Sequence, residues 1–117
     1  MKDLSLLEID KYLRSFVNVE ADLKRIDGFT VYRVKDLANK SADESIFAII
    51  KNNSKPVLLH LACEKHLAKL LRTKYETISP SKINNPREWN QIICSGQMTA
   101  DEVKDLIVLA YSLTSSN

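Results

Sequence analysis

Glycine is nearly absent from this sequence: Gly28 and Gly96 are the only two in 117 residues. A phosphate-cradling loop or a dinucleotide-binding turn needs clustered glycines, because only they let backbone N–H groups close on phosphate, so neither motif can be built here. Cysteine is equally scarce. Cys63 and Cys94 stand far apart with no C-x-x-C spacing, which leaves a disulfide framework unsupported and reads both as small buried apolar side chains. No run of about 18 apolar residues occurs, so no membrane-spanning helix is expected. The opening MKDLSLLEIDKYL carries acids where a secretory signal needs an uninterrupted apolar core, and a cytoplasmic location is the expectation.

What the chain does hold is ordinary for one globular domain spanning residues 1–117: 44% hydrophobic and 27% charged residues. The net charge of +2 is unevenly spread. Residues 51–87 carry eight Lys/Arg against Glu64 and Glu76, whereas residues 88–117 carry Lys104 against Glu88, Asp101, Glu102 and Asp105. A basic middle followed by an acidic end is the main electrostatic signal.

Leu6, Ile9, Leu13 and Phe16 recur at helical spacing behind the capping box Ser5-x-x-Glu8, predicting a first helix. Residues 18–27 are mixed and charged and offer no element. Phe29–Val34, Ser45–Ile50 and Pro56–Leu61 read as strands, the last two joined by the hairpin loop Lys51–Lys55. Leu67, Leu70 and Leu71 mark a helix from about Glu64 to Lys74, and Tyr75–Ser79 reads as a further short strand. A proline turn leads to a strand over Trp89–Cys94. The last helix opens with Thr99-x-x-Glu102, and Val103, Leu106, Ile107, Ala110 and Leu113 form its apolar stripe. The order α-β-β-β-α-β-α implies an α+β fold, an antiparallel sheet with helices packed on one face.

The stretch Ser79–Gly96, SPSKINNPREWNQIICSG, holds the only Trp, two of the three Pro and one of the two Gly. Together with SIFAII, PVLLHLACEKHLAKLLRTKY and the T-x-x-E helix start, its Pro80 turn and N85-P-R-E-W-N90 segment resemble the MmcQ/YjbR family. The likeness runs from about Ile46 to Leu113 and fits Phe29–Val34 more loosely. It departs from the family before the tryptophan, where basic and His residues are usual and Pro86, Arg87 and Glu88 stand here. The resemblance implies a frataxin/CyaY-like fold and DNA binding through a double wing, in which hairpin-like projections approach the duplex. Carried over to this chain, it implies contacts from Lys51, Asn52, Asn53 and Lys55 in one loop and from Lys82, Asn85 and Arg87 in the other. Lys65, Lys69 and Arg72 would widen the basic face, while Pro80, Trp89 and Asn90 carry the family motif.

Each feature also has a plain structural reading. Polar loops and outward lysines keep a domain soluble, and a Trp opening a strand is more often a core anchor than a stacking platform. His60, Cys63 and His66, with Cys94, have the donor types zinc favours. The segment nevertheless runs from a strand end into a helix start, which aims the side chains apart, and the simpler reading is a half-exposed His60, a buried Cys63 and a surface His66. Iron enters only through the fold analogy, and Asp3, Glu8 and Asp10 alternate with Lys2, Lys11 and Arg14 rather than forming an acidic ridge. No nucleophile motif or isolated carboxylate pair stands out. The expectation is a non-enzymatic domain without cofactor, bound to double-stranded DNA; the alternative is a protein-interaction or regulatory module using the sheet face or the Trp89 turn.

Overall fold

The computed structural model describes residues 4–116. Lys2 and Asp3, counted above with the first helix's charges, lie outside them. The elements in order are α1 (Leu6–Arg14), β1 (Val19–Asp22), β2 (Phe29–Val34), β3 (Ile46–Lys51), β4 (Val57–Ala62), α2 (Lys65–Lys74), β5 (Ile78–Pro80), β6 (Trp89–Cys94) and α3 (Ala100–Ser115). All strands pair antiparallel in one open sheet, β1-β2-β3-β4-β6-β5. This is the α+β arrangement the sequence predicts; β5, read as a further short strand over Tyr75–Ser79 and found at Ile78–Pro80, joins the order given above, and one more strand appears that the sequence does not disclose.

That strand is β1. Its sequence, Val-Glu-Ala-Asp, is too short and charged to register as a strand alone; it forms because β2 offers a free edge, pairing Val19 with Val34 and Asp22 with Val31. Both capping boxes close as expected. The Glu8 N–H donates to Ser5 Oγ at 3.1 Å and the Glu102 N–H to Thr99 Oγ1 at 3.1 Å, and each glutamate accepts the cap residue's own N–H in return.

The helices sit on one face. Ile9 and Leu13 of α1 and Val103, Ile107 and Ala110 of α3 join Tyr32, Ala48, Ile50, Leu59, Leu61 and Ile92 in the principal core. A bulge sets one residue of this layer: Tyr32 pairs with Ala48 but Arg33 pairs with Ile46, so Phe47 is extra. The local kink turns Phe47 toward the same side as Ala48, where its ring packs edge-on against Tyr111 at 5.5 Å.

The opposite face is not left to solvent. Val31, Ile46, Ile49 and Trp89 make a second apolar layer, covered by Ile26 from the β1–β2 connection and Ile83 from the β5–β6 connection. These two loop straps replace a layer of helices, and each contributes a single isoleucine.

Candidate nucleic-acid interface

The hairpin between β3 and β4 is braced from within. The Ser54 hydroxyl donates to the Lys51 carbonyl at 2.9 Å and accepts the Leu58 N–H at 3.1 Å. Asn53 takes the left-handed conformation, φ 59°, that an asparagine tolerates in a tight turn. Asn52 is tied down: its N–H donates to the Gly28 carbonyl at 2.9 Å and its side-chain oxygen accepts the Thr30 hydroxyl at 2.7 Å. Of the residues expected to face DNA here, Lys51, Asn53 and Lys55 are exposed, while Asn52 is half-buried and holds the hairpin to the neighbouring loop.

The second loop is organised around Ser81. Its Oγ accepts the N–H groups of Ile83 and Asn84, both at 3.2 Å, and lies 2.9 Å from His60 Nδ1. A hydroxyl with two acceptor sites filled has only its proton left to give, so Ser81 donates to Nδ1 and the imidazole carries its proton on Nε2. Burial pushes the His60 pKa down to about 4, consistent with a neutral ring held as an acceptor. At 2% exposure His60 is a core residue, which corrects the half-exposed reading: its sheet face is capped by the Ile83 strap. Further along, the Asn85 side-chain oxygen accepts the Arg87 N–H at 3.1 Å and its carbonyl accepts the Glu88 N–H at 3.2 Å. Lys82, Asn85 and Arg87 remain exposed.

Between this loop and the helix face lies the Trp-Asn pair. Trp89 is buried in the second layer and Asn90, 2% exposed, points to the opposite side beneath α2. The Asn90 Nδ2 donates to the Ala68 carbonyl at 3.2 Å, and its Oδ1 accepts Arg72 Nε at 2.6 Å. The Arg72 guanidinium also donates to the carbonyls of Pro86 and Trp89. Arg72 therefore joins α2, β6 and the proline turn, and is withdrawn from the basic face assigned to it from sequence. Pro80 ends β5, a sheet edge where a missing N–H costs nothing.

The register separates the two loops. Val57 pairs with Cys94 at the hairpin end of β4, and Ala62 pairs with Trp89 at the other. Six residues of strand at roughly 3.3 Å each put the projections on the order of 20 Å apart. The structure puts Lys51 and Lys55 on one loop and Lys82 and Arg87 on another, at opposite ends of β4. It adds one neighbour that sequence reasoning missed: the β1–β2 connection, anchored to the hairpin through Gly28 and presenting exposed Lys24.

The nitrogen and sulfur donors do not converge either. His60 lies on the strap-covered sheet face and Cys94 on the helix face, while His66 is exposed on α2. Burial, with Glu64 close by, raises the Cys63 thiol, opposing the thiolate that a metal or a nucleophile requires. Among the described residues, no three His, Cys, Asp or Glu are placed to hold a metal ion. Of the surfaces named above for a protein partner, the sheet face is covered, while the turn leading into Trp89, residues 84–88, is exposed.

Known structures share the architecture. The crystal structure of Deinococcus radiodurans protein DR2400, with a DUF419 domain, superimposes with a TM-score of 0.84 and 17% identity, covering 97% of this chain and 80% of that one. A Pseudomonas syringae protein matches in its crystal structure with a TM-score of 0.74 and 20% identity, covering 95% of this chain and 99% of that one. Its solution NMR structure gives 0.69 and 20%, over 95% and 93%. No family model matches the sequence, and no curated protein does. At these identities the likeness speaks for the fold, a six-stranded antiparallel sheet with three helices. No described helix is long and apolar enough to cross a membrane.

Proposed function

We propose that this chain is a non-enzymatic domain of the MmcQ/YjbR double-wing type that binds double-stranded DNA, with weak sequence preference, through its two braced loops. The observation that carries this reading is the state of four cations. Lys51, Lys55, Lys82 and Arg87 are exposed, and their side chains make no ion pair or hydrogen bond among the described residues. Arg14, Arg25 and Arg33 are paired with Asp10, Asp43 and Glu20, and Arg72 is spent on the loop clamp. Exposed Lys11, Lys24, Lys35, Lys65 and Lys69 are equally unpaired among the described residues; what sets the loop cations apart is that they project from backbones already fixed by Ser54 and Ser81, so little loop entropy is lost on binding. A separation on the order of 20 Å corresponds to roughly six base pairs of duplex at 3.4 Å each, within reach of phosphates on one DNA segment.

Fluorescence anisotropy with a labelled duplex of about 20 base pairs tests it. Four phosphate contacts predict an affinity loss on the order of a hundredfold between about 50 and 200 mM salt. Reversing Lys51 and Lys55 to Glu, or Lys82 and Arg87 to Glu, should each lower the salt slope by about two while leaving the thermal melt in place. Absence of binding at low salt, or binding by both double variants that equals the parent's, rules the reading out.

A further inference from the structure

Exposed apolar side chains away from the loops recur along the helices. Leu70 on α2 is 68% exposed, and Leu109 and Leu113 on α3 are 49% and 42% exposed. Between α2 and α3 lies a small apolar crevice of about 10 Å³, lined by Leu61, Ile92, Leu71, Leu106 and Leu109. Only Leu71, Leu106 and Leu109 of the helix leucines line it; Leu67 and Leu70 on α2 and Leu113 on α3 continue each row as a ridge at helical spacing further out. Isolated exposed leucines need no explanation, but exposed leucines on two neighbouring helices of opposite charge do.

Charge selects the occupant. On α2 the exposed cations flanking Leu70 are Lys69 and Lys74, the latter also 5.2 Å from the Tyr75 ring, while Lys65 lines a separate pocket with Asn84 and Asn85. On α3 the exposed positions leading into Leu109 are Asp101 and Asp105, and its one cation, Lys104, sits over the Tyr12 ring at 5.3 Å instead. One ridge is rimmed by positive charge and the other by negative. A surface built this way is complementary to itself: laying α2 of one molecule across α3 of another buries both leucine ridges and matches both rims, and a two-fold axis makes the contact twice. Like ridges laid together would set lysine against lysine and aspartate against aspartate.

We propose that this face is a homodimer interface, in which the α2 ridge around Leu70 of each copy packs across the α3 ridge around Leu109 of the other. The assignment is independent of the DNA reading, since none of the four loop cations belongs to it.

Sedimentation equilibrium between about 1 and 200 µM, with light scattering on the eluted peak, tests it on the full chain. The parent should show a concentration-dependent monomer–dimer equilibrium. Leu70→Glu and Leu109→Glu should each weaken it at least about tenfold, as loss of a central apolar anchor does. Both positions are exposed, so circular dichroism melts should stay near the parent's; Leu70→Ser and Leu109→Ser provide the same test with less perturbation. Lys69→Glu and Asp105→Lys should each weaken the dimer, and the double variant should recover it. A parent that stays monomeric throughout overturns the proposal, as does a dimer indifferent to both leucine changes. Two weakening charge variants whose combination fails to recover would overturn the α2-across-α3 arrangement.

Discussion

His60 shows how one buried side chain can couple a loop to solution pH. Its ring accepts the Ser81 proton, and Ser81 in turn holds the amides that begin the Ile83 strap. Protonating Nδ1 would set donor against donor at the root of the loop. The unfolded chain, with an ordinary histidine pKa near 6.5, takes up that proton more readily than the folded one at about 4. Stability from this group is therefore complete above about pH 6.5 and drains away as pH falls toward 4, by roughly 2–3 kcal/mol. The carboxylates of Glu44, Glu64 and Glu102, held low by hydrogen bonds to backbone N–H groups, lose their contribution only below their ordinary range near 4.5. Urea unfolding at a series of pH values should thus show two stages, and His60→Gln, which keeps an acceptor for Ser81, should flatten the upper one. A parent profile flat from pH 7 to 5 would contradict the geometry. From sequence His60 looked half-exposed because strand alternation tells which face a residue takes, not what covers that face.

At the scale of elements, Asn90 and Arg72 decide how α2 sits. Asn90→Leu keeps the volume but removes the Ala68 contact and strands the Arg72 guanidinium, so a loss of about 2–3 kcal/mol is expected in denaturant midpoint analysis. Thr99→Ala, which opens only the α3 capping box, should cost about 1 kcal/mol by the same measurement. The contrast checks whether the Trp-Asn pair is an anchor of the fold. Much of the architecture was legible because it rests on local signals: two capping boxes, the stripe of α3, and two apolar strand runs around a five-residue hairpin loop. What stayed hidden depends on partners distant in sequence. Val19–Asp22 becomes a strand only against β2, the bulge at Phe47 only against Tyr32, and Arg72 joins the proline turn only once α2 has docked. The basic loops could be named from sequence, but the strand register that holds them apart could not.

For the whole molecule, the uneven charge of the chain acquires a place. The basic stretch from 51 to 87 divides into loop cations free to meet phosphate and α2 lysines that rim the leucine ridge, while the acidic end supplies α3 with Asp101 and Asp105. The proposed DNA-binding loops and the proposed dimer face use different residues, so the loop variants should leave the oligomeric state untouched in sedimentation. The sheet itself is closed to newcomers. One border is a four-residue strand bearing Glu20 and Asp22, the other a three-residue strand ending at Pro80. Neither can template a further strand for long, which is how natural sheets avoid joining edge to edge. A reagent designed to grip this protein, whether a β-hairpin inhibitor or a peptide meant to extend its sheet, would find no seam to enter, and would have to be shaped for helices or loops instead.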